Sequence, residues 1–142
     1  MRILPSLRKR RGTTLVETAL VLTIALTTFI GLIDIGTVIF RLQGLVERAR
    51  TGARYGVVNT FNAASISNVV VYGNSGGTGS PLLGLLPQYV TVTNVDIGDG
   101  LAKIQVVIEG YPVRFFTPLI AGATTLPRIE VSLTTESLGS PG

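Results

Sequence analysis

Side chains able to do chemistry are few in this 142-residue chain, which has no Cys and no His. A disulfide framework, a Cys/His zinc site and any Ser-His-Asp or Cys-His nucleophile are therefore excluded. Carboxylates remain. Asp96 and Asp99 flank Gly98, with Gly100 following. Two acids without the ligand spacing of a calcium loop read as a hairpin turn. GNSGGTGS (73–80) is Gly-rich but lacks the Lys-Ser/Thr ending of a phosphate-binding loop. A glycosidase-type carboxylate pair is the one catalytic arrangement left open, and the residues beyond the apolar N-terminal third are a small scaffold for it. The sequence thus points to a non-enzyme without cofactor or metal. The most unusual carboxylate is Glu17, near the start of a long apolar run. An ionised acid there costs about 2.5–3.5 kcal/mol in lipid unless compensated. Taken alone it is an acid at the positive end of a helix dipole.

The elements that position these residues follow from charge and periodicity. Residues 1–54 hold nine of the twelve Lys/Arg and three acids (Glu17, Asp34, Glu47), a sum of +6; residues 55–142 sum to −2. The basic residues flank an apolar run, which fits membrane topology better than nucleic-acid binding. TALVLTIALTTFIGLI (18–33) is uncharged, and the apolar character continues past Asp34 to Phe40. A spanning helix needs roughly 20 apolar residues and a secretory h-region about 7–15, so one transmembrane helix is expected. Arg8, Lys9, Arg10 and Arg11 precede it without an acid. This cluster is a topology signal that keeps the N-terminus cytoplasmic and sends the bulk of the chain outward.

Helix character continues beyond the membrane. Leu42, Leu45, Val46, Ala49 and Ala53 recur at helical spacing, while Arg41, Arg48 and Arg50 point elsewhere. A helix from Thr13 to about Arg54 is expected. In NAASISNVVVYGN (62–74), Val69–Val71 fit a strand. Ile66, Val69 and Val70, with Ser65 as a cap and Gly73 as a stop, fit a short helix, the preferred reading. NSGGTGSP (74–81) is a loop. YVTVTNVDI (89–97) alternates and changes phase at Asn94, which predicts a bulge. It forms a hairpin with AKIQVVIE (102–109) through the turn GDGL. YPVRFF (111–116) is an edge strand because Pro112 cannot donate to a ladder, and RIEVSLT (128–134) is a further strand. Three or four strands with one apolar face need a cover, and the stripe at 42–53 supplies it. The expected fold is α+β: a long N-terminal helix, membrane-spanning in its first half, packed on a small antiparallel sheet.

RKRRG followed by TTLVE, a basic leader, a glycine, and a glutamate as fifth residue of an apolar helix, looks like a type IV prepilin. The wider segment RRGTTLVETALVLTIALTTFIGLIDIGTVIF resembles TadE-like proteins, the minor pilins (pseudopilins) of tight-adherence pilus systems. Asp34-Ile35-Gly36 fits that family's acidic-x-Gly element. ERARTGARYG (47–56), NVVVYGN (68–74) and YPVRFFTPL (111–119) are similar to its later segments. Thr18 departs from the pattern, standing where an aromatic usually follows the glutamate.

The resemblance implies a pilin-like fold and the following organisation: residues 1–12 a cleaved leader, 13–40 the transmembrane helix, 41–56 its continuation and 57–142 an exported α+β domain. It implies cleavage by a prepilin peptidase between Gly12 and Thr13. Glu17 would then face a new amine one helical turn away, or that of a neighbouring subunit, and set axial register. Asp34 is a boundary residue or, less favoured, a second assembly contact. Implied partners are the peptidase, the major pilin and other minor pilins, the inner-membrane assembly platform and the membrane itself, with no nucleic acid. The implied location is the bacterial inner membrane, with incorporation into a surface pilus. An uncleaved single-pass accessory protein of a pilus or secretion system is the alternative.

Overall fold

The computed structural model describes residues 10–98, 101–113, 115 and 124–135. The chain divides into two compact units, one holding residues 1–37 with 115–121, the other 38–114 with 122–142. Helix α1 runs from Arg10 to Val58. It begins three residues before Thr13 and continues one turn past Arg54.

In the first unit, α1 is uncharged from Thr18 to Ile33 and exposes apolar side chains around most of its circumference. Leu15, Leu20, Val21, Leu22, Ile24, Phe29 and Leu32 are all more than half exposed. A helix greasy around most of its circumference is suited to lipid or to other helices, since water rewards only a stripe. Threonines interrupt the apolar run without leaving hydroxyls unmet. Thr18, Thr23, Thr27, Thr28 and Thr37 each donate to the carbonyl four residues back, at 2.8–2.9 Å. Hydroxyls bound to their own helix lose most of their need for water. From Leu15 to Phe40 the helix spans on the order of 38 Å, more than the ~30 Å hydrocarbon core of a bilayer. Among the described residues, Gly12–Val58 is the one helix long and apolar enough to cross a membrane.

In the second unit the spacing of the stripe is realised. Leu45, Ala49 and Ala53 are fully buried, and Leu42 and Val46 half-buried. Gly52 and Gly56 complete this face. Helix α2 (Ala63–Tyr72) packs directly on it: a Cβ at Gly52 would overlap Val70 Cγ2, and one at Gly56 would lie 2.7 Å from Ile66 Cδ1 and 3.0 Å from Ile104 Cδ1. Arg48 differs from expectation. It is half-buried, with its guanidinium over Gly73, where a side chain would collide with it.

The helical reading of residues 62–74 holds, but the cap is Asn62 instead of Ser65. Asn62 Oδ1 accepts from the Ser65 amide at 3.1 Å. Position matters here, because the cap must precede the first helical residue to reach its free amides. Gly73 ends the helix at φ 80, and its amide donates to the Val69 carbonyl at 2.9 Å. Ile66, Val69, Val70 and Val71 are buried. The following loop is tied by Asn74, whose Nδ2 donates to Thr78 O at 2.6 Å and whose Oδ1 accepts from Thr78 N at 3.2 Å.

Strands β1 (Val90–Gly98), β2 (Leu101–Ile108) and β5 (Ile129–Thr134) form a three-stranded antiparallel sheet in the order β1-β2-β5. Val92 opposes Val106, which opposes Val131. This register gathers Ile104, Val106 and Ile108 on the buried face, toward the helices. The sheet's cover is shared: α2 lies against β1, and Gly56 of α1 sits over Ile104.

The expected bulge at Asn94 is absent. Pairing is regular from Val90 to Asp96, and the register shift falls between Asp96 and Gly98. The phase change has another cause. Beyond Asn94 the strand is exposed on both faces, so burial no longer selects which face carries the apolar residues. At the far end, Thr135 Oγ1 accepts from Ala102 N and donates to Ala102 O, both at 3.1 Å.

Among the described residues of the YPVRFF segment, Pro112–Val113 form β3, which pairs with β4 (Thr124–Thr125) in a separate two-stranded sheet. Its anchor is Tyr111, 3% exposed, whose ring meets Tyr89 edge-on at 6.2 Å. The Tyr111 hydroxyl donates to the Leu83 carbonyl. This holds the turn in which Leu83 adopts φ 52, a left-handed conformation that costs a non-glycine residue energy unless its surroundings impose it.

Candidate functional site

The residues singled out by sequence lie along α1. Gly12 sits in open space, where even an added Cβ would touch nothing. Thr13 and Glu17 are both exposed, one helical turn apart. Glu17 makes no hydrogen bond or ion pair with any described residue. Thr18 turns its hydroxyl back onto Thr14 O, so the position that departs from the aromatic pattern adds no projecting ring. Arg10 and Arg11 open the helix; Arg8 and Lys9 lie outside the described residues.

The helix start is electrostatically poor. Its first turn holds no acid, and basic side chains at a helix N-terminus oppose the dipole.

Asp34 is placed apart from this group. It is 2% exposed, the buried charged residue among an otherwise apolar buried set. It lies about 25 Å along the helix axis from Glu17, so the two carboxylates do not converge. Burial of an acid demands compensation by hydrogen bonds or charge.

Residues 12–54 match the family model described as TadE-like protein. This segment is TadE-like. The match begins at Gly12 and takes in Glu17, Asp34 and the buried small-residue face Ala49, Gly52 and Ala53. No curated protein and no solved structure matches the chain.

Sequence reasoning passed over one site. A groove of ≈ 690 Å³ runs between α1 and β5, lined by Glu47, Arg50, Arg54, Val57, Val58, Val131, Ser132 and Leu133. Its signal was present in the sequence: Glu47, Arg50, Arg54 and Val57 recur at i, i+3, i+7 and i+10, a second helix face beside the core stripe. Spacing alone could not show that β5 lies opposite it.

The outer face of the sheet carries a polar row. Thr93 Oγ1 donates to Gln105 Oε1 at 3.4 Å, Gln105 Nε2 to Glu130 Oε1 at 2.5 Å, and Arg128 Nη2 approaches Glu130 Oε2 at 3.3 Å. These groups satisfy one another in the open, as a solvated sheet face requires.

Proposed function

We propose that this protein is a minor pilin, or pseudopilin, of a tight-adherence pilus system, matured by prepilin peptidase cleavage after Gly12. The observation that carries the reading is the extent of the TadE-like match, which starts at the glycine of the inferred cut site and runs through the apolar helix. In this reading the role is structural. The first part of α1 anchors the precursor in the inner membrane and later packs among the helices of an assembly, to which its broad apolar surface is suited. The basic residues Arg8 to Arg11 hold the cut site on the cytoplasmic face, and residues 57–142 are exported.

Cleavage turns Glu17 from a liability into a register device. Removal of residues 1–12 creates an α-amino group on Thr13, one turn from the Glu17 carboxylate. In an assembly, Glu17 pairs with that amine or with a neighbour's. A slipped subunit leaves a buried charge unpaired, at a cost of about 3–5 kcal/mol. The partners are the peptidase, the major pilin, other minor pilins and the assembly platform.

Intact-mass analysis of the membrane-extracted protein from cells with active prepilin peptidase tests this reading. The expected product begins at Thr13. Full retention of residues 1–12 in such cells overturns it and favours an uncleaved accessory protein.

A further inference from the structure

The three-stranded sheet ends in two free edges with complementary chemistry. Among the described residues, nothing pairs with the outer side of β1 or of β5. Exposed edges invite pairing with another chain, and natural proteins usually blunt them with charge, kinks or brevity. The β1 edge carries the charge of Asp96 and a register shift at Asp96–Gly98, with apolar residues exposed beside them. Its last half is exposed, with Val95 at 42% and Ile97 at 49%.

Parity places the charges. Val92 faces the helices, because it opposes buried Val106, so Asp96 lies on that same side of the sheet. One of its oxygens accepts from the Gly98 amide at 2.9 Å, and the other has no partner among the described residues. At the opposite edge, half-buried Val131 and Leu133 also face the helices and floor the groove. Arg50 and Arg54 stand on its helical wall, both exposed and neither ion-paired among the described residues. With Glu47 included, the groove carries a net positive charge.

We propose that copies of this protein join edge to edge, the exposed end of β1 in one copy adding to β5 of the next, with Asp96 meeting Arg50 and Arg54. The occupant of the groove is therefore a second copy of this chain. Charge favours this pairing over the two symmetric ones, in which Asp96 gains no arginine and Arg50 and Arg54 gain no carboxylate from the other copy. Direction fits as well. Both β1 and β5 run antiparallel to β2, so they are parallel to each other, and a copy added in the same orientation presents its β1 parallel to β5. Such a head-to-tail contact does not close on itself as a two-fold one does, so it extends into a ring or an open array. Sheet twist, roughly 20–25° per strand, turns each added copy relative to the last. None of this depends on cleavage at Gly12 or on Glu17.

Thiol crosslinking of the full-length, detergent-solubilised chain tests the contact, and the absence of native Cys makes it specific. Single-cysteine variants V95C and S132C sit on the two edges and leave the charges intact. Mixing them should yield a 95–132 crosslink well above the 95–95 and 132–132 products. Adding D96K to the V95C partner should lower that yield roughly fivefold or more, the scale of an exposed charge pair. R54E in the S132C partner should then restore it. Equal yields of matched and mixed crosslinks, no crosslink at all, or indifference to D96K overturns the proposal. Asp96 and Arg54 are exposed, and unchanged melting of the variants shows that the fold is intact.

Discussion

Gly52 and Gly56 show how narrowly single residues set this packing. Each lies where a methyl group would strike α2 or the sheet. Gly52→Ala and Gly56→Ala are expected to destabilise the second unit by about 1–3 kcal/mol, as overpacking does, read as a lowered melting temperature of the detergent-solubilised chain. The small residues of ERARTGARYG thereby acquire a physical reason, which is the close approach of two helices. Glu17 belongs to the same scale. Glu17→Ala should insert in the membrane at wild-type level yet fail to enter pili, compared by membrane fractionation and by immunoblotting of sheared pili. Undiminished pilus incorporation counts against the register role.

At the scale of elements, α2 depends on one side chain at its start. Asn62→Ala removes the acceptor for the Ser65 amide and should cost about 0.5–2 kcal/mol, measured by chemical denaturation. Helical periodicity identified α2, because Ile66, Val69 and Val70 fall on one face and all are buried. The spacing suggests Ser65 as the cap and the structure has Asn62, since several polar residues precede the apolar run and only the backbone path shows which one is first. The threonines of α1 make the opposite case. Their hydroxyls are already bonded within the helix, so Thr23→Val and Thr27→Val should leave insertion and stability within about 0.5 kcal/mol of the parent, as expected for outward-facing substitutions. The strand segments were legible where one face is buried. They were misread where it is not: the phase change at Asn94 marks loss of burial, while the irregularity lies at Asp96–Gly98.

For the whole molecule, composition and apolar run length predict behaviour in bulk. The chain should remain in the membrane pellet after alkaline carbonate washing, because α1 is long and apolar enough to cross a bilayer. Recovery in the wash would contradict a spanning helix.

The long apolar helix, the apolar stripe at 42–53, the α+β class and the TadE-like segment were all legible in the sequence. Each is written in local periodicity or in contiguous motif, and neither needs a partner from far along the chain. Tertiary structure decided the rest. It split the cover of the sheet between α1 and α2, set the short β3–β4 pair apart from the main sheet, and buried Asp34. It also placed Arg50 and Arg54 across a groove from Val131 and Leu133. These residues are separated by more than seventy positions, and only strand order and register bring them together. No spacing within either segment encodes that distance.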